Sequence, residues 1–376
     1  MSAGRVRRSA APPGLAVNLR VVLLSLGLAA CSSGPSPYTI AAAGPWQLTS
    51  GRNTRLGIAL AAKEINDAGG INGHPLVVKE ADDQADGARA AAVAQQLADD
   101  PAIAAVVGHV TSAAMVAAAR IYDGRLAAVA TAASAPELSG ISRWAFRIIA
   151  SDSVTGAAMA KFAAQTGHRR AAILYENDSH GRGLADAFRR SFAGAIVNTD
   201  PIAADGRHAE IFVSWLRQGQ PDLVFVAGLE ASGVALLTEA KRQGVRADFM
   251  GGAGWTPLAQ HADVAEGAYV GAPFTSADRR PSAQRFVTAF KAANRGLEPD
   301  GNAALGYDAT KLLAAALGAV GEDRARIRDW LAGLTSDFAG VTGPIRFLPT
   351  GDPAGGGIIM TRVRRDGMLG LADGTP

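Results

Sequence analysis

The chain has 376 residues, 48% of them hydrophobic and 19% charged, which is more than one domain's length with enough apolar side chain for packed cores, and this excludes a disordered polymer. Its 44 glycines follow no Gly-X-Y period, which excludes collagen. The formal charge of +3 belongs to the leader, because residues 1–31 hold Arg5, Arg7, Arg8 and Arg20 and no acid, and the remaining 33 basic residues against 34 acidic ones exclude a basic field for nucleic acid.

Residues 1–30 read as a secretion signal. Arg5, Arg7 and Arg8 form its cationic start, and Val21–Leu28 its apolar run. That run is shorter than the about 20 residues that cross a bilayer. Leu28-Ala29-Ala30-Cys31 then resembles a bacterial lipobox. The resemblance implies a diacylglycerol on Cys31 and cleavage before it; an ordinary signal with a chance cysteine is the other reading. Two or more lipid chains anchor a protein stably, since each buried CH₂ contributes about 0.8 kcal/mol. Cys31 is the sole cysteine, so the mature fold is expected to hold by packing, without a disulfide. Residues 31–37, rich in Ser, Gly and Pro, are expected to be a flexible lipidated tether.

Strand-like and helix-like segments alternate from there. Tyr38–Ala42 reads as a strand. Asn53–Ala68 has helical periodicity through Leu56, Leu60 and Ile65 and stops at Gly69-Gly70. Strand Leu76–Lys79, helix Ala88–Leu97, the continuous apolar strand Ala102–Val107, helix Ser112–Tyr122 and strand Leu126–Ala130 complete a first series. A second runs through helix Val154–Gln165, strand Ala171–Tyr175, helix Leu184–Phe192, strand Ile196–Thr199, helix Glu210–Arg217, strand Leu223–Ala227, helix Ser232–Gln243 and strand Ala268–Val270. Helices Ser282–Ala293, Ala303–Ala319 and Arg324–Leu334 follow. Gly343–Leu348 and Gly357–Val363 read as a hairpin-like pair. Such alternation predicts an α/β protein with two doubly wound, Rossmann-like lobes. Ligands of such sheets sit beyond the carboxyl ends of the strands, so a cleft between two lobes is the expected site.

No Gly-x-x-x-x-Gly-Lys-Ser/Thr loop, no full Gly-x-Gly-x-x-Gly, no Gly-x-Ser-x-Gly and no His-Glu-x-x-His occurs. The six histidines (His74, His109, His168, His180, His208 and His261) lack metal-ligand spacing. No cofactor and no metal is expected, and an enzyme is disfavoured.

Five stretches carry a resemblance. They are Ala61–Gly73 followed by Asp82-Asp83-Gln84; Val107–Ser112; Ala133–Leu138 with Phe146-Arg147 and Asp152; Gly181–Ala185; and Gly340–Ile345. Each is weak alone, but their order and spacing together are specific. From about Tyr38 to Gly367 the chain resembles the periplasmic solute-binding proteins of ABC transporters, in particular the branched-chain amino-acid-binding (Leu/Ile/Val-binding) family. The resemblance implies the type I periplasmic binding protein fold, two lobes joined by three crossovers. Lobe 1 would take 38–152 and 275–337, lobe 2 153–274 and 338–376. It implies an exported protein on the periplasmic or cell-surface face of the membrane that is no enzyme. It would bind a small molecule, an amino acid or organic acid, and deliver it to ABC permease subunits.

The same resemblance names site residues. Thr111 and Ser112, between a buried strand and a helix start, would receive the ligand's carboxylate, for which free N–H groups and a hydroxyl are suited; a plain N-cap is the other reading of Ser112. Ala132 and Ser134 match a second contact loop, where a carbonyl takes the ammonium and a hydroxyl helps hold the carboxylate. Asp152, at the first crossover, would accept from an ammonium or a hinge amide. His180 stands where the family often has a tyrosine. Ala253 stands where the family has an acid for the ammonium, so either Asp152 or Glu230 compensates, or the ligand lacks an amine. Leu229 replaces a frequent aromatic, and Trp46 and Trp255 are expected to form the wall in its place. Two further classes stay open: a sensor or scaffold lipoprotein on the same fold, and a hydrolase whose site has no local signature.

Overall fold

The computed structural model describes residues 1–4, 35–355 and 357–372. Residues 5–30 of the leader, Cys31 and most of the expected tether lie outside them. In chain order the first series is β1 (Tyr38–Gly44), α1 (Thr49–Asp67), β2 (Leu76–Asp82), α2 (Gly87–Asp99), β3 (Ile103–Gly108), α3 (Ser112–Tyr122), β4 (Ala127–Ala130) and β5 (Ala145–Arg147). The strands form a parallel sheet in the order β2-β1-β3-β4-β5. β3 is buried along its whole length, as a continuous apolar run between two neighbours should be. α1 stops where the sequence places a stop. Gly69 and Gly70 have φ of +96° and +78°, and their N–H groups close on Asn66 O and Ile65 O, which is the Schellman arrangement that glycine makes without strain.

The second series is α4 (Asp152–Gln165), β6 (Arg170–Glu176), α5 (Ser179–Ser191), β7 (Ala195–Ile202), α6 (Ala209–Gly219), β8 (Leu223–Ala227), α7 (Glu230–Gln243), β9 (Asp248–Gly251), α8 (Ala262–Ala265) and β10 (Tyr269–Ala272). After it come α9 (Pro281–Ala293), α10 (Gly301–Val320), α11 (Arg324–Ala332), β11 (Phe338–Ala339), β12 (Pro344–Ile345), β13 (Ile359–Val363) and β14 (Leu369–Leu371). The second sheet runs β14-β13-β10-β9-β8-β6-β7.

Each sheet is covered on both faces, and successive residues of a strand feed different cores. Ala127 and Val129 of β4 pack on one side of the first sheet, Ala128 and Ala130 on the other. Val224 and Val226 of β8 likewise oppose Leu223, Phe225 and Ala227. α10 is long and apolar enough to cross a membrane, but Leu305, Leu312, Leu313 and Leu317 place it in the core of the first lobe.

The structure corrects two sequence expectations. Gly343–Leu348 and Gly357–Val363 do not pair with each other. β13 instead joins the second sheet, antiparallel to β10 and β14, while β12 pairs with β11. The return to the second lobe also comes later than residue 338. Phe338, Ile345 and Phe347 pack on the core of the first sheet. Thr350 O and Gly351 O accept from Gly140 N and Arg147 N, and Asp352 pairs with the buried Arg147. The chain therefore crosses over between Asp352 and Ile359.

Candidate functional site

The two sheets share one winding. β2-β1-β3-β4-β5 in the first is matched by β7-β6-β8-β9-β10 in the second. The strand order thus reverses between β1 and β3, and again between β6 and β8. Loops leaving the carboxyl ends of those strands diverge and open a crevice. A cleft of about 450 Å³ lies there. Val110, Thr111 and Ser112 come to it from the end of β3, Glu176 and His180 from the end of β6, and Leu229 and Glu230 from the end of β8.

Ser112 is the first residue of α3, so it does not cap that helix; Thr111 holds the cap position without a side-chain cap bond. The Ser112 hydroxyl oxygen accepts from Ser134 N and Ala135 N, both at 3.1 Å. With its lone pairs occupied, its O–H is left to donate. Beside it the Thr111 hydroxyl is buried with no partner among the described residues, and the first N–H groups of α3 have no acceptor within the helix. These donors converge on the cleft wall, and converging donors suit an anion.

His180 lies in the first turn of α5, whose N-cap Asp178 accepts from Gly181 N at 2.7 Å. Its Nδ1 is 3.2 Å from Ser134 Oγ and 3.1 Å from Asp152 Oδ2. Its Nε2 is buried with no partner among the described residues. Burial opposes charge on this ring, but the carboxylates of Asp152, Asp178 and Glu176 outweigh it and push its pKa up to about 9. The ring is therefore an imidazolium at neutral pH, with one N–H held and one free. Ser134, His180 and Asp152 do not form a catalytic relay. In a Ser-His-Asp triad the hydroxyl and the carboxylate engage opposite ring nitrogens; here both engage Nδ1.

The expected site residues separate into three groups. Thr111, Ser112, Ala132, Ser134, His180 and Glu230 all line the cleft. Asp152 is absent from the cleft lining; it sits behind His180, 1% exposed, and holds the ring through Nδ1. Trp46 and Trp255 do not form the wall. Trp46 is half-buried against the core of the first lobe. Trp255 is wholly buried in the second, in a slot that glycine leaves open: a Cβ at Gly251 would stand 2.2 Å from its ring. The apolar wall is made by Val110, Ile149, Leu229, Ala253, Pro273 and Leu305. Glu230 carries a partner already, His261 Nε2 at 2.9 Å.

Sequence reasoning missed Glu176. It is the last residue of β6, 2% exposed, on the cleft. Burial pushes its carboxyl pKa up, against the donors Leu229 N and Ser232 Oγ. The available signal was an acid ending an apolar strand at the carboxyl edge of the sheet. Asn302, at the start of α10, also lines the cleft, and its Nδ2 is 3.4 Å from Thr256 Oγ1, a weak bond from one lobe to the other.

Residues 38–368 match the family model described as periplasmic binding protein. The chain is 29% identical over 340 residues to the leucine-, isoleucine-, valine-, threonine- and alanine-binding protein of Pseudomonas aeruginosa, covering 87% of this chain and 90% of that one. Among solved structures it is similar to an ABC transporter substrate-binding protein of Desulfitobacterium hafniense in complex with Leu, with a TM-score of 0.78 at 31% identity, covering 90% of this chain and 100% of that one. It is also similar to the branched-chain amino acid transporter substrate-binding protein of Streptococcus pneumoniae in complex with isoleucine, with a TM-score of 0.83 at 26% identity and the same coverage.

Proposed function

The chain belongs to the periplasmic binding protein family, and on that premise we propose that it is the extracytoplasmic, lipid-anchored solute-binding subunit of an ABC importer. Its ligand is a small carboxylate-bearing molecule, first an aliphatic amino acid, held in the cleft between the lobes and passed to membrane permease subunits. The observation that carries this reading is the Ser112 hydroxyl, whose oxygen is saturated by Ser134 N and Ala135 N and whose proton is thereby directed at a guest. The apolar wall supports an aliphatic side chain, and the amino acids named for the similar proteins support the class.

Such a protein does its work by shape. Contacts come from both lobes, so a guest that touches both binds the closed form more tightly than the open one, and only that difference moves the equilibrium. Shifting the ratio from about 1:99 to 99:1 takes roughly 5.5 kcal/mol of differential affinity. One observation favours a second ligand class, an amine-free organic acid or amide: Ala253 lines the cleft where an acid for the ammonium was expected.

The test is a thermal-shift screen of the mature chain against amino acids and organic acids. A true ligand at about 100 times its Kd raises stability by roughly 2.7 kcal/mol. If every compound leaves the melting point unmoved while an envelope protein co-purifies, the chain is a scaffold or sensor. The anchor has its own test. Cys31→Ser is expected to move the protein from the membrane fraction to the soluble fraction, and an unchanged distribution would remove lipidation from the account.

A further inference from the structure

Ala253 leaves an ammonium group without an acid in the loop after β9, yet the cleft holds an acid elsewhere. Glu176 ends β6 at the reversal point of the second sheet and is 2% exposed. Its Oε1 accepts from Leu229 N at 2.8 Å and from Ser232 Oγ at 2.6 Å. Its Oε2 accepts no hydrogen bond among the described residues. A carboxylate this deeply buried, with one oxygen saturated and the other bare, is a group that a cation would satisfy.

The other acids near the cleft are either set behind His180 or less buried than Glu176. Asp152 faces His180 Nδ1, Asp178 caps α5, and Glu230 holds His261. Of the acids that line the cleft, Glu176, Asp178 and Glu230, Glu176 is the most deeply buried, so its bare oxygen gains most from a positive charge. It also stands on the opposite lobe from Ser112. A zwitterion with its carboxylate on the α3 start and its ammonium on β6 would span the cleft, and spanning contacts are the ones that favour closure.

We propose that Glu176 is the carboxylate that receives the ligand's ammonium group, in place of the acid that Ala253 lacks. The inference rests on the amino-acid reading above and deepens it, because it selects an amine-bearing ligand over an amine-free one. Burial pushes the Glu176 carboxyl pKa up, the direction expected of a desolvated acid that a cation would stabilise.

A bracing role at the start of α7 is the competing explanation, and Glu176→Gln separates the two. The amide oxygen of glutamine can still accept from Leu229 N and Ser232 Oγ, so bracing survives while the charge is lost. The probes are L-leucine, L-isoleucine and L-valine, each beside its counterpart lacking the amine, titrated by calorimetry into the mature chain. The wild type is expected to bind at least one amino acid more than tenfold tighter than its amine-free counterpart. Glu176→Gln is expected to lose at least tenfold in affinity for that amino acid and less than threefold for the counterpart. Ala253→Glu added to Glu176→Gln is expected to restore at least part of the loss, and Glu176→Asp, which keeps the charge, serves if the glutamine variant does not fold. Amino-acid binding that is equal in wild type and Glu176→Gln would overturn the role of Glu176 and leave the importer reading intact. Failure of all six probes on the wild type would overturn the aliphatic amino-acid reading and this inference with it.

Discussion

Ser112 and Thr111 stand side by side but are predicted to respond differently to truncation. Ser112→Ala leaves Ser134 N and Ala135 N without an acceptor, at about 1–3 kcal/mol for a buried unpaired group. It is expected to lower both the melting point and the ligand affinity. Thr111→Val removes a hydroxyl that has no partner among the described residues, so it is expected to leave the melting point unchanged or slightly higher while still weakening the ligand. A Thr111→Val variant that binds as the wild type does would take that hydroxyl out of the site. His180 carries a pH signature. Its folded pKa of about 9 lies above the ordinary 6.5, so between those values the folded state holds a proton that the unfolded state has lost. The stability it contributes is complete below pH about 6.5 and is lost as pH rises through about 9. Melting points of wild type and His180→Gln, followed from pH 6 to about 9.5, are expected to diverge most at the acid end and to converge at the alkaline end.

Among elements, α1 and α10 of the first lobe approach each other very closely. A Cβ at Gly57 would lie 1.9 Å from Ala303 O, and one at Gly306 2.4 Å from Thr54 O. The two helices meet backbone to backbone at reciprocal glycines. Alanine is the better helix former by about 1 kcal/mol, but overpacking costs about 1–3 kcal/mol and sometimes more. At a separation of 1.9 Å the clash wins. Gly57→Ala is expected to destabilise the protein in denaturant titration, and a stabilised variant would mean the helices can part freely. α10 also fixes a distant loop. The buried Asp308 accepts from Val341 N, Thr342 N and Thr342 Oγ1. That gives a physical reason for the Gly340–Ile345 stretch singled out in the sequence: it is clamped to the core helix of the first lobe.

At the scale of the whole molecule, two covered sheets of like winding place their reversal points across one cleft. If that cleft closes on its guest, X-ray scattering of the mature chain is expected to show a smaller radius of gyration with ligand than without, and identical profiles would deny hinge closure. The sequence by itself determined the α/β class, the two series and most helix and strand identities, because periodicity and stop signals such as Gly69-Gly70 act over a few neighbouring residues. The family resemblance, carried over residue by residue, put Thr111, Ser112, Ala132, Ser134 and His180 at the expected site, and all five line the cleft. Only the tertiary structure decided the rest. β13 pairs with β10, some 90 residues earlier in the chain, and not with the segment beside it, because strand pairing is settled by long-range packing. Trp255 turns into the second core, because the slot that receives it is built from Gly233 and Gly251 on other elements. Glu176 is buried where the end of β6 meets the turn from β8 into α7, and burial of that kind is a property of assembled neighbours that no single stretch of chain encodes.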